Sequence, residues 1–218
     1  MILQAPESVP VSAESDFEVR LARFEKGFSW NEVFGNARPV VLELGCGKGR
    51  FIIRSAGDNP DTNFFGIEKS QKYVRLINQR ARRAGIANLR LLSTDGAYFV
   101  ARYVPAASVQ ACHIFFPDPW PKKRHLRRRL VNSAMVEELQ RILLPGGRLY
   151  YKTDFQDYYE QMLEVTRACP GFEELYSRTV TSAEADPEEA DTHYERRYLI
   201  EGRPIYEAGY EKAGELLS

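Results

Sequence analysis

The sequence has few cysteines and few histidines. Its three cysteines, at positions 46, 112 and 169, are odd in number and lack metal-ligand spacing, and only three histidines are present. Cys46 and Cys112 lie in or beside apolar runs, so we expect buried, reduced thiols rather than disulfides. The sequence therefore predicts no metal site, and it indicates a reducing compartment, the cytoplasm.

An excess of one charge and long apolar runs are also absent. The 30 Lys and Arg residues balance the 30 Asp and Glu residues, so no overall cationic excess indicates a nucleic-acid partner. No apolar stretch approaches the about 20 residues that cross a membrane. The N-terminus lacks the basic and apolar regions of a secretory signal. With 44% hydrophobic residues, the chain of 218 residues is predicted to fold around a substantial core.

Strand-like and helix-like segments alternate from residue 38 onward. Strands are predicted at 39–44, 63–68, 89–93, 109–116 and 148–153, with weaker candidates at 172–176 and 196–200. Helices are predicted near 48–57, 71–84 (capped by Ser70), 130–143 and 156–168. The alternation predicts an α/β fold with a doubly wound, mostly parallel, seven-stranded sheet, helices on both faces and ligands at the C-terminal strand ends. Residues 1–37 are predicted to be an extension that packs on the domain formed by residues 38–218.

A glycine loop, Gly45-Cys-Gly47-Lys-Gly49, follows the first strand and opens a helix. Its G-x-G-x-G spacing differs from the G-x-G-x-x-G of dinucleotide sites, and a purely structural turn is the alternative interpretation. Glu43, two residues earlier, would repel a pyrophosphate. It would suit a ligand with an ammonium or sulfonium group, and S-adenosylmethionine carries both.

Two more acids end successive strands. Glu68 follows the second strand, where it would accept hydrogen bonds from ribose hydroxyls, and Asp95 follows the third, where it would accept one from an adenine amino group. A helix cap is the alternative for Asp95. Hydrogen bonds to charged groups contribute about 1.5–3 kcal/mol each. Together with Glu43, these acids predict a site for the nucleoside of S-adenosylmethionine that needs no phosphate contact.

The segment 115–129 is the most unusual in the chain. The fourth strand ends in Pro117-Asp118-Pro119-Trp120-Pro121, and the prolines should hold Asp118 and Trp120 rigidly. Basic side chains follow, and a second cationic cluster lies at 69–83. Such clusters steer an anionic partner even at zero net charge. A rigid acid beside a cationic patch indicates a site that binds a polyanion and acts on one of its bases, although a solvated basic turn remains the alternative.

The chain resembles class I S-adenosylmethionine-dependent methyltransferases and, more closely, the bacterial tRNA (guanine-N7-)-methyltransferase family. Four segments carry the resemblance: Leu-Glu-Leu-Gly-Cys-Gly-Lys-Gly (42–49), Gly-Ile-Glu (66–68), Pro-Asp-Pro-Trp-Pro-Lys-Lys-Arg-His (117–125) and Thr-His-Tyr-Glu-Arg-Arg (192–197). The resemblance implies a Rossmann-like sheet, S-adenosylmethionine as methyl donor, and methylation of N7 of the variable-loop guanosine of tRNA. It leaves open whether the protein is a monomer or a homodimer.

The resemblance also implies site residues. The donor site would contain Glu43, Gly45, Gly47, Glu68, Asp95 and Asp118, and Asp118 would also be catalytic. The target guanosine would contact Lys122, Asp154, Thr192, His193, Tyr194 and Glu195. The RNA would contact Lys123, Arg124, Arg127, Arg128 and Arg129. The family commonly has Lys-Phe where His193-Tyr194 stand here, so this chain lacks one lysine of the pattern.

The chemistry of guanine suggests how these side chains would act. Guanine N7 has an in-plane lone pair and no proton, so the reaction needs alignment rather than a general base. Asp118 would stabilise the cationic product, and Asp154 or Glu195 would read the Watson–Crick edge. Trp120 would stack on the base or pack beside the prolines. Asp154 has the alternative of capping the next helix.

Three other functions fit parts of the pattern. An Asp-Pro motif after the fourth strand also serves methyltransferases that act on exocyclic amines or other nucleobase positions. The glycine turn with Glu68 also suits a nicotinamide-dependent dehydrogenase, although no hydride-relay residues are evident. A non-catalytic RNA-binding protein on the same scaffold is the third.

Overall fold

The computed structural model describes residues 17–24 and 27–214. Its eight strands are β1 (Glu18–Val19), β2 (Val40–Leu44), β3 (Asn63–Ile67), β4 (Leu89–Leu92), β5 (Val109–Phe115), β6 (Leu143–Thr153), β7 (Phe172–Val180) and β8 (Ile205–Lys212). They form one sheet in the order β1-β4-β3-β2-β5-β6-β8-β7. Strands β1 to β6 are parallel to one another, and β8 is antiparallel to both β6 and β7.

Seven α-helices accompany the sheet within the described ranges. They are α1 (Trp30–Phe34), α2 (Arg50–Asp58), α3 (Gln71–Arg83), α4 (Gly96–Tyr103), α5 (Ser133–Ile142), α6 (Gln156–Arg167) and α7 (His193–Ile200). Helices α2 and α3 pack on one face of the sheet, and α1, α4, α5 and α6 pack on the other. All five residues of β2 are buried, as expected for a central parallel strand covered on both faces.

The predicted α/β architecture is confirmed, with three differences of detail. The two-residue strand β1 adds an eighth strand beside β4. Helix α4 was not predicted from the sequence between the third and fourth strands. The segment 196–200, predicted as a strand, lies in helix α7, and β8 is the true last strand. The cause is a cap at Thr192, whose hydroxyl accepts the amide hydrogen of Glu195 and starts a helix.

The described part of the N-terminal segment packs on the sheet. The Trp30 ring meets the Phe65 ring at 5.1 Å between centroids, and the Trp30 indole N–H donates to Ser108 Oγ at 3.0 Å. Phe24 and Val33 belong to the same buried cluster. Residues 1–16, 25 and 26 of the predicted extension lie outside the described residues, and the boundary at 37/38 stays a prediction. None of the described helices has the length and apolar character needed to cross a bilayer.

Candidate active site

A cavity of about 190 Å³ lies at the carboxyl end of β2. The glycine loop (residues 45–49) forms one side of it, and the first residues of α7 form the other. Among the predicted site residues, those that line it are Glu43, Gly45, Gly47, Thr192, His193 and Tyr194. The cavity therefore brings the predicted donor loop together with the 192–194 segment, which is about 150 positions away in the sequence.

The glycine loop has a backbone that only glycine adopts readily. Gly45, Gly47 and Gly49 have φ values of 85°, 51° and 75°. A Cβ atom at Gly49 would also lie 2.6 Å from Cγ1 of Ile77 on α3. The three glycines thus give a tight turn that packs closely on the neighbouring helix and leaves backbone open to a ligand.

Glu68 holds this loop in place. Its Oε2 accepts the amide hydrogen of Gly47 at 2.8 Å, and its Oε1 accepts that of Ser70 at 2.8 Å. Ser70 stands at the N-cap position of α3, but its side chain makes no capping bond, so the predicted cap is wrong. The carboxylate of Glu68 links the ends of β2 and β3, and each of its oxygens keeps a lone pair for a ligand.

Glu43 is a buried acid that needs a partner. The residue lines the cavity and is 3% exposed. Among the described residues, no hydrogen-bond donor reaches its Oε2 atom. Burial, reinforced by the charges of Glu68 and Asp191, raises the pKa of Glu43 to about 8. A cationic ligand group would satisfy this carboxyl and draw it into its charged form.

Asp95 has a capping role in the ligand-free chain. Its Oδ1 accepts the amide hydrogen of Tyr98 at 3.1 Å and caps α4, and its Oδ2 lies 3.8 Å from Nζ of Lys69. Its side chain is 54% exposed and does not line the cavity. The capping interpretation is therefore correct, and contact with adenine stays a prediction.

Asp118 is exposed in a loop that is fixed by Arg129. The Arg129 side chain donates to the carbonyl of Pro119 at 2.8 Å and to Oε1 of Gln161 at 2.6 Å. It also pairs with Asp157, and its residue is 2% exposed. A guanidinium held in this way cannot contact a phosphate. The prediction that Arg129 binds RNA is wrong, because burial makes it an anchor for the loop.

The other predicted RNA contacts face solvent. They are Lys122, Lys123, Arg124, Arg127 and Arg128. A 3₁₀ helix, Lys123–Arg128, presents most of them. The guanidinium of Arg128 lies 5.0 Å from the ring centroid of Trp120, and His125 meets the same ring edge-on at 5.8 Å. Trp120 is thus a packed indole in this structure, and its stacking on a base stays a prediction.

Two residues beside Asp118 have strained backbones. Phe116 and Trp120 have φ values of 51° and 44°, which are uncommon for residues other than glycine. The amide of Phe116 is held by the carbonyl of Lys152 at 2.7 Å. Such strain is typical of functional loops, and here it turns the chain sharply at the end of β5.

The start of α7 covers the glycine loop. A Cβ atom at Gly47 would lie 3.9 Å from Cε2 of Tyr194. The Tyr194 ring lies 6.3 Å from the Phe116 ring and 6.2 Å from the Tyr198 ring, so the three form an aromatic wall. His193 Nε2 is 3.3 Å from Nη1 of Arg80. Burial and the nearby arginine lower the pKa of His193, which keeps its imidazole neutral at pH 7.

Both predicted readers of the guanine edge are engaged by cations. Asp154 pairs with Arg203, whose guanidinium stacks 4.0 Å above the Tyr198 ring. Glu195 accepts hydrogen bonds from Lys152 at 2.7 Å and from the amide of Asp191 at 3.0 Å. Asp154 does not cap α6, since Phe155 holds the N-cap position. Neither carboxylate lines the cavity, so their contacts with guanine stay predictions.

Sequence reasoning did not identify several residues at this site. Tyr73 and Arg197 line the cavity, and Arg80 contacts His193 at its rim. A signal existed for Lys152, because a lysine inside an apolar strand needs acidic partners. The identity of those partners, Asp191 and Glu195, depends on the fold. Within the ranges 17–24 and 27–214, no group of three or more His, Cys, Asp or Glu residues is arranged to hold a metal ion.

Comparison with known proteins identifies relatives over most of the chain. A family model described as "Putative methyltransferase" matches residues 37–208. The tRNA (guanine-N(7)-)-methyltransferase of Geobacter metallireducens is 39% identical over 189 residues, which cover 85% of this chain and 88% of that protein. The proteins of the same name from Vibrio cholerae and Aliivibrio fischeri are 36% and 40% identical, over 84% and 69% of this chain. The match covers 77% of the Vibrio cholerae protein and 63% of the Aliivibrio fischeri protein.

Solved structures support the fold. The 16S rRNA methyltransferase KamB superposes with a TM-score of 0.62 at 16% identity, covering 84% of this chain and 92% of that one. The 16S rRNA (adenine(1408)-N(1))-methyltransferase of Catenulisporales acidiphilia, solved with its cosubstrate SAM, gives 0.62 at 16% identity, covering 87% and 92%. At these identities the likeness shows a shared Rossmann-like methyltransferase fold alone. The identities to the bacterial enzymes go further: this chain belongs to the tRNA (guanine-N7-)-methyltransferase family.

Proposed function

We propose that this protein uses S-adenosylmethionine to methylate N7 of the variable-loop guanosine of tRNA, and that it does so in the cytoplasm. The observation that carries the proposal is the cavity at the end of β2 in a chain of this family. It is lined by the buried Glu43, whose Oε2 has no partner among the described residues, and by the 192–194 segment.

The residues that line the cavity, together with Glu68 and Asp95 outside its lining, fit S-adenosylmethionine. When bound, this molecule supplies a methyl group on a positively charged sulfur. Glu43 would bind its ammonium group, and burial makes that ion pair stronger than it would be in water. The free lone pairs of Glu68 would accept the ribose hydroxyls, and Asp95 would accept the adenine amino group. The left-handed glycine loop would let the backbone approach closely.

The guanine side of the site needs positioning groups. Because N7 already has a free lone pair, no side chain has to remove a proton. The aromatic wall of Phe116, Tyr194 and Tyr198 offers a surface against which a base would pack. Asp118 is exposed on a loop with a fixed backbone, and its charge would stabilise the positive charge that guanine acquires.

The Watson–Crick edge of guanine presents N–H donors that suit a carboxylate. Asp154 and Glu195 are the proposed acceptors, and each keeps lone pairs beyond those used by Arg203 and Lys152. Thr192 would act through the helix start, because its hydroxyl fixes the amide of Glu195 at 3.0 Å. His193 and Tyr194 would contact the guanosine from the rim of the cavity.

The exposed basic side chains of the 122–128 segment would bind RNA phosphates. They follow Asp118 directly, so the phosphate contacts and the reacting base would lie on the same loop. Lys122 stands nearest to Asp118 in the chain and is proposed to contact the target nucleotide itself. Phosphate contacts of this kind position the RNA, and contacts with the base provide the selection.

Methylation of unmodified tRNA with isotope-labelled S-adenosylmethionine tests the proposal. Nucleoside mass spectrometry should detect N7-methylguanosine, and mapping should place it in the variable loop. Glu43→Gln should lose tight donor binding in calorimetry, while Arg102→Gln on the far face of the sheet should behave like the wild type. A methyl group on an exocyclic amine, or none on tRNA at all, would contradict the proposal.

A further inference from the structure

Helix α3 carries a stripe of positive charge. Lys72, Arg75, Arg82 and Arg83 are exposed, and at 100° per residue they fall within about a third of the helix circumference. We call these four residues the α3 stripe. Its ends are separated by about 16 Å along the helix axis, at 1.5 Å per residue. The opposite side of the helix is apolar, with Val74 buried against the sheet.

No acid balances this charge. The sequence from Lys69 to Thr94 contains no Asp or Glu. Among the described residues, none of the four side chains of the α3 stripe has an ion pair or a side-chain hydrogen bond. Some exposed arginines elsewhere do have such partners, for example Arg148 with Glu211 and Arg167 with Glu174. In a chain with zero net charge, four neighbouring unpaired cations need an external explanation.

Helix α3, which carries the stripe, borders the cavity, and the other basic surface follows a strand on the other side of β2. Helix α3 follows β3, the 122–128 segment follows β5, and these two strands flank β2 on either side. Tyr73 of α3 lines the cavity, and Arg80 donates to the carbonyl of Lys48 in the glycine loop at 2.8 Å. The cavity thus lies between the helix that carries the α3 stripe and the basic 122–128 segment, so an extended polyanion bound at the cavity would have a cationic surface on either side of it.

We propose that the α3 stripe binds the sugar–phosphate backbone of the tRNA at a place away from the target guanosine. This inference rests on the proposed function, because it names a second contact surface for the same substrate. Arginine and lysine side chains on one helix face suit a run of phosphates. A membrane surface fits less well, because none of the exposed large apolar side chains of the described residues lies on α3.

The test compares two fourfold variants with the same change in charge. The first is Lys72→Gln, Arg75→Gln, Arg82→Gln and Arg83→Gln, which keeps good helix formers in α3. The control is Arg38→Gln, Arg102→Gln, Arg148→Gln and Arg167→Gln, which leaves α3 unchanged. Fluorescence anisotropy measures the Kd for whole tRNA and for a short hairpin that contains only the variable region. Circular dichroism and melting curves confirm that both variants fold.

The stripe variant should bind whole tRNA at least tenfold more weakly than the control at about 0.1 M salt. Its slope of log affinity against log salt should be smaller by roughly 3, since each phosphate contact contributes about 0.7–0.9. Its affinity for the short hairpin and its kcat at saturating tRNA should equal those of the control. A further variant should bind whole tRNA nearly as tightly as the wild type, because lysine keeps the charge. It carries Arg75→Lys, Arg82→Lys and Arg83→Lys.

Equal tRNA affinities and salt slopes for the stripe variant and the control would overturn the inference. Stripe-dependent binding to anionic phospholipid vesicles, with tRNA binding unaffected, would overturn it in favour of a membrane surface. The protein can bind tRNA without transferring a methyl group, so the proposal for the α3 stripe and the proposed function can be refuted independently. Stripe-dependent tRNA binding without N7-methylguanosine would refute the proposed function alone, and a wild-type protein that does not bind tRNA would refute both.

Discussion

The ammonium group of Lys152 lies 2.7 Å from the carboxylate of Glu195, which connects the end of β6 to the start of α7. The same ammonium is 2.7 Å from Asp191 and 3.6 Å from Glu207, and its side chain is 11% exposed. Burial lowers the pKa of Lys152, but the charges of Glu195 and Asp191 outweigh it, so the pKa is raised. Lys152 therefore ties the 191–195 segment to strand β6, and Arg54 also pairs with Asp191.

Replacing Lys152 should destabilise the protein strongly. Lys152→Met leaves the buried Glu195 without its cation, whereas Asp191 and Glu207 keep Arg54 and Arg178, and breaking a buried ion pair costs about 3–5 kcal/mol. Urea unfolding at pH 7 measures this loss. The control Arg148→Met removes a pair on the same strand whose arginine is half exposed, and should cost less than about 1 kcal/mol. Equal losses in the two variants would contradict the account.

The raised pKa of Glu43 should make ligand-free stability depend on pH. The unfolded carboxyl ionises near its ordinary value of 4.5, whereas the folded one stays neutral up to about 8. The unfolded state therefore gains free energy by ionising between these values, and the contribution of Glu43 to stability falls as pH rises from about 5 to 8. Glutamine does not ionise, so in Glu43→Gln this position no longer lowers the stability as pH rises. At about 1.4 kcal/mol per pKa unit, the free energy of unfolding of the variant relative to the wild type should rise by roughly 3 kcal/mol from pH 5 to pH 8. A difference that is constant with pH would contradict the assignment.

The same carboxyl should couple donor binding to a proton. Below about pH 8 the neutral Glu43 must lose its proton to pair with an ammonium group, so the affinity for S-adenosylmethionine should rise with pH and level off near 8. Calorimetry at pH 7 in two buffers of different ionisation enthalpy should report release of about one proton. No proton release would show that Glu43 does not face the cationic end of the ligand.

Arg127 and Arg129 are neighbours in sequence with opposite expected behaviour. Arg127→Gln should reduce the salt slope of tRNA binding by roughly 1 and leave the melting temperature unchanged, because its side chain is exposed. Arg129→Gln should leave the slope unchanged and lower the melting temperature, because it removes the anchor to Pro119 and Gln161. The reverse pattern would restore the RNA-binding prediction for Arg129.

Replacing Asp118 and replacing Asp95 should have different effects. Asp118→Ala should retain the fold but lose nearly all methyl transfer, as measured by single-turnover kinetics. Asp95→Ala should destabilise the protein by about 1 kcal/mol through the lost cap of α4. Wild-type turnover by Asp118→Ala would exclude its proposed catalytic role.

The positions that the sequence predicted well are those set by local patterns. The buried runs of β2 to β6 and the turn formed by the glycine loop follow from periodicity and from chain order alone. The end of the chain was harder, since Arg196–Ile200 is apolar enough to resemble a strand. In the structure a helix begins there because the Thr192 hydroxyl accepts the amide hydrogen of Glu195. A capping threonine of this kind is a weak signal in a single sequence.

The sequence alone could not predict which side chains pair with each other across the fold. Arg129 looks like its basic neighbours, and its burial follows from Asp157 and Gln161 on α6, about 30 positions later. In the sequence Asp154 has no evident partner, but in the structure it pairs with Arg203, which is 49 positions away. In both cases the sequence shows the charge of the side chain and its position in the chain. Which residue it pairs with depends on how the helices and loops pack.

The most direct test replaces the variable-loop guanosine of a tRNA with 7-deazaguanosine, which keeps the Watson–Crick edge and lacks only N7. The account predicts that the protein binds this tRNA with unchanged affinity and incorporates no labelled methyl group at that nucleotide. Incorporation at the rate seen with ordinary tRNA would contradict the central claim, because the acceptor would then be another atom.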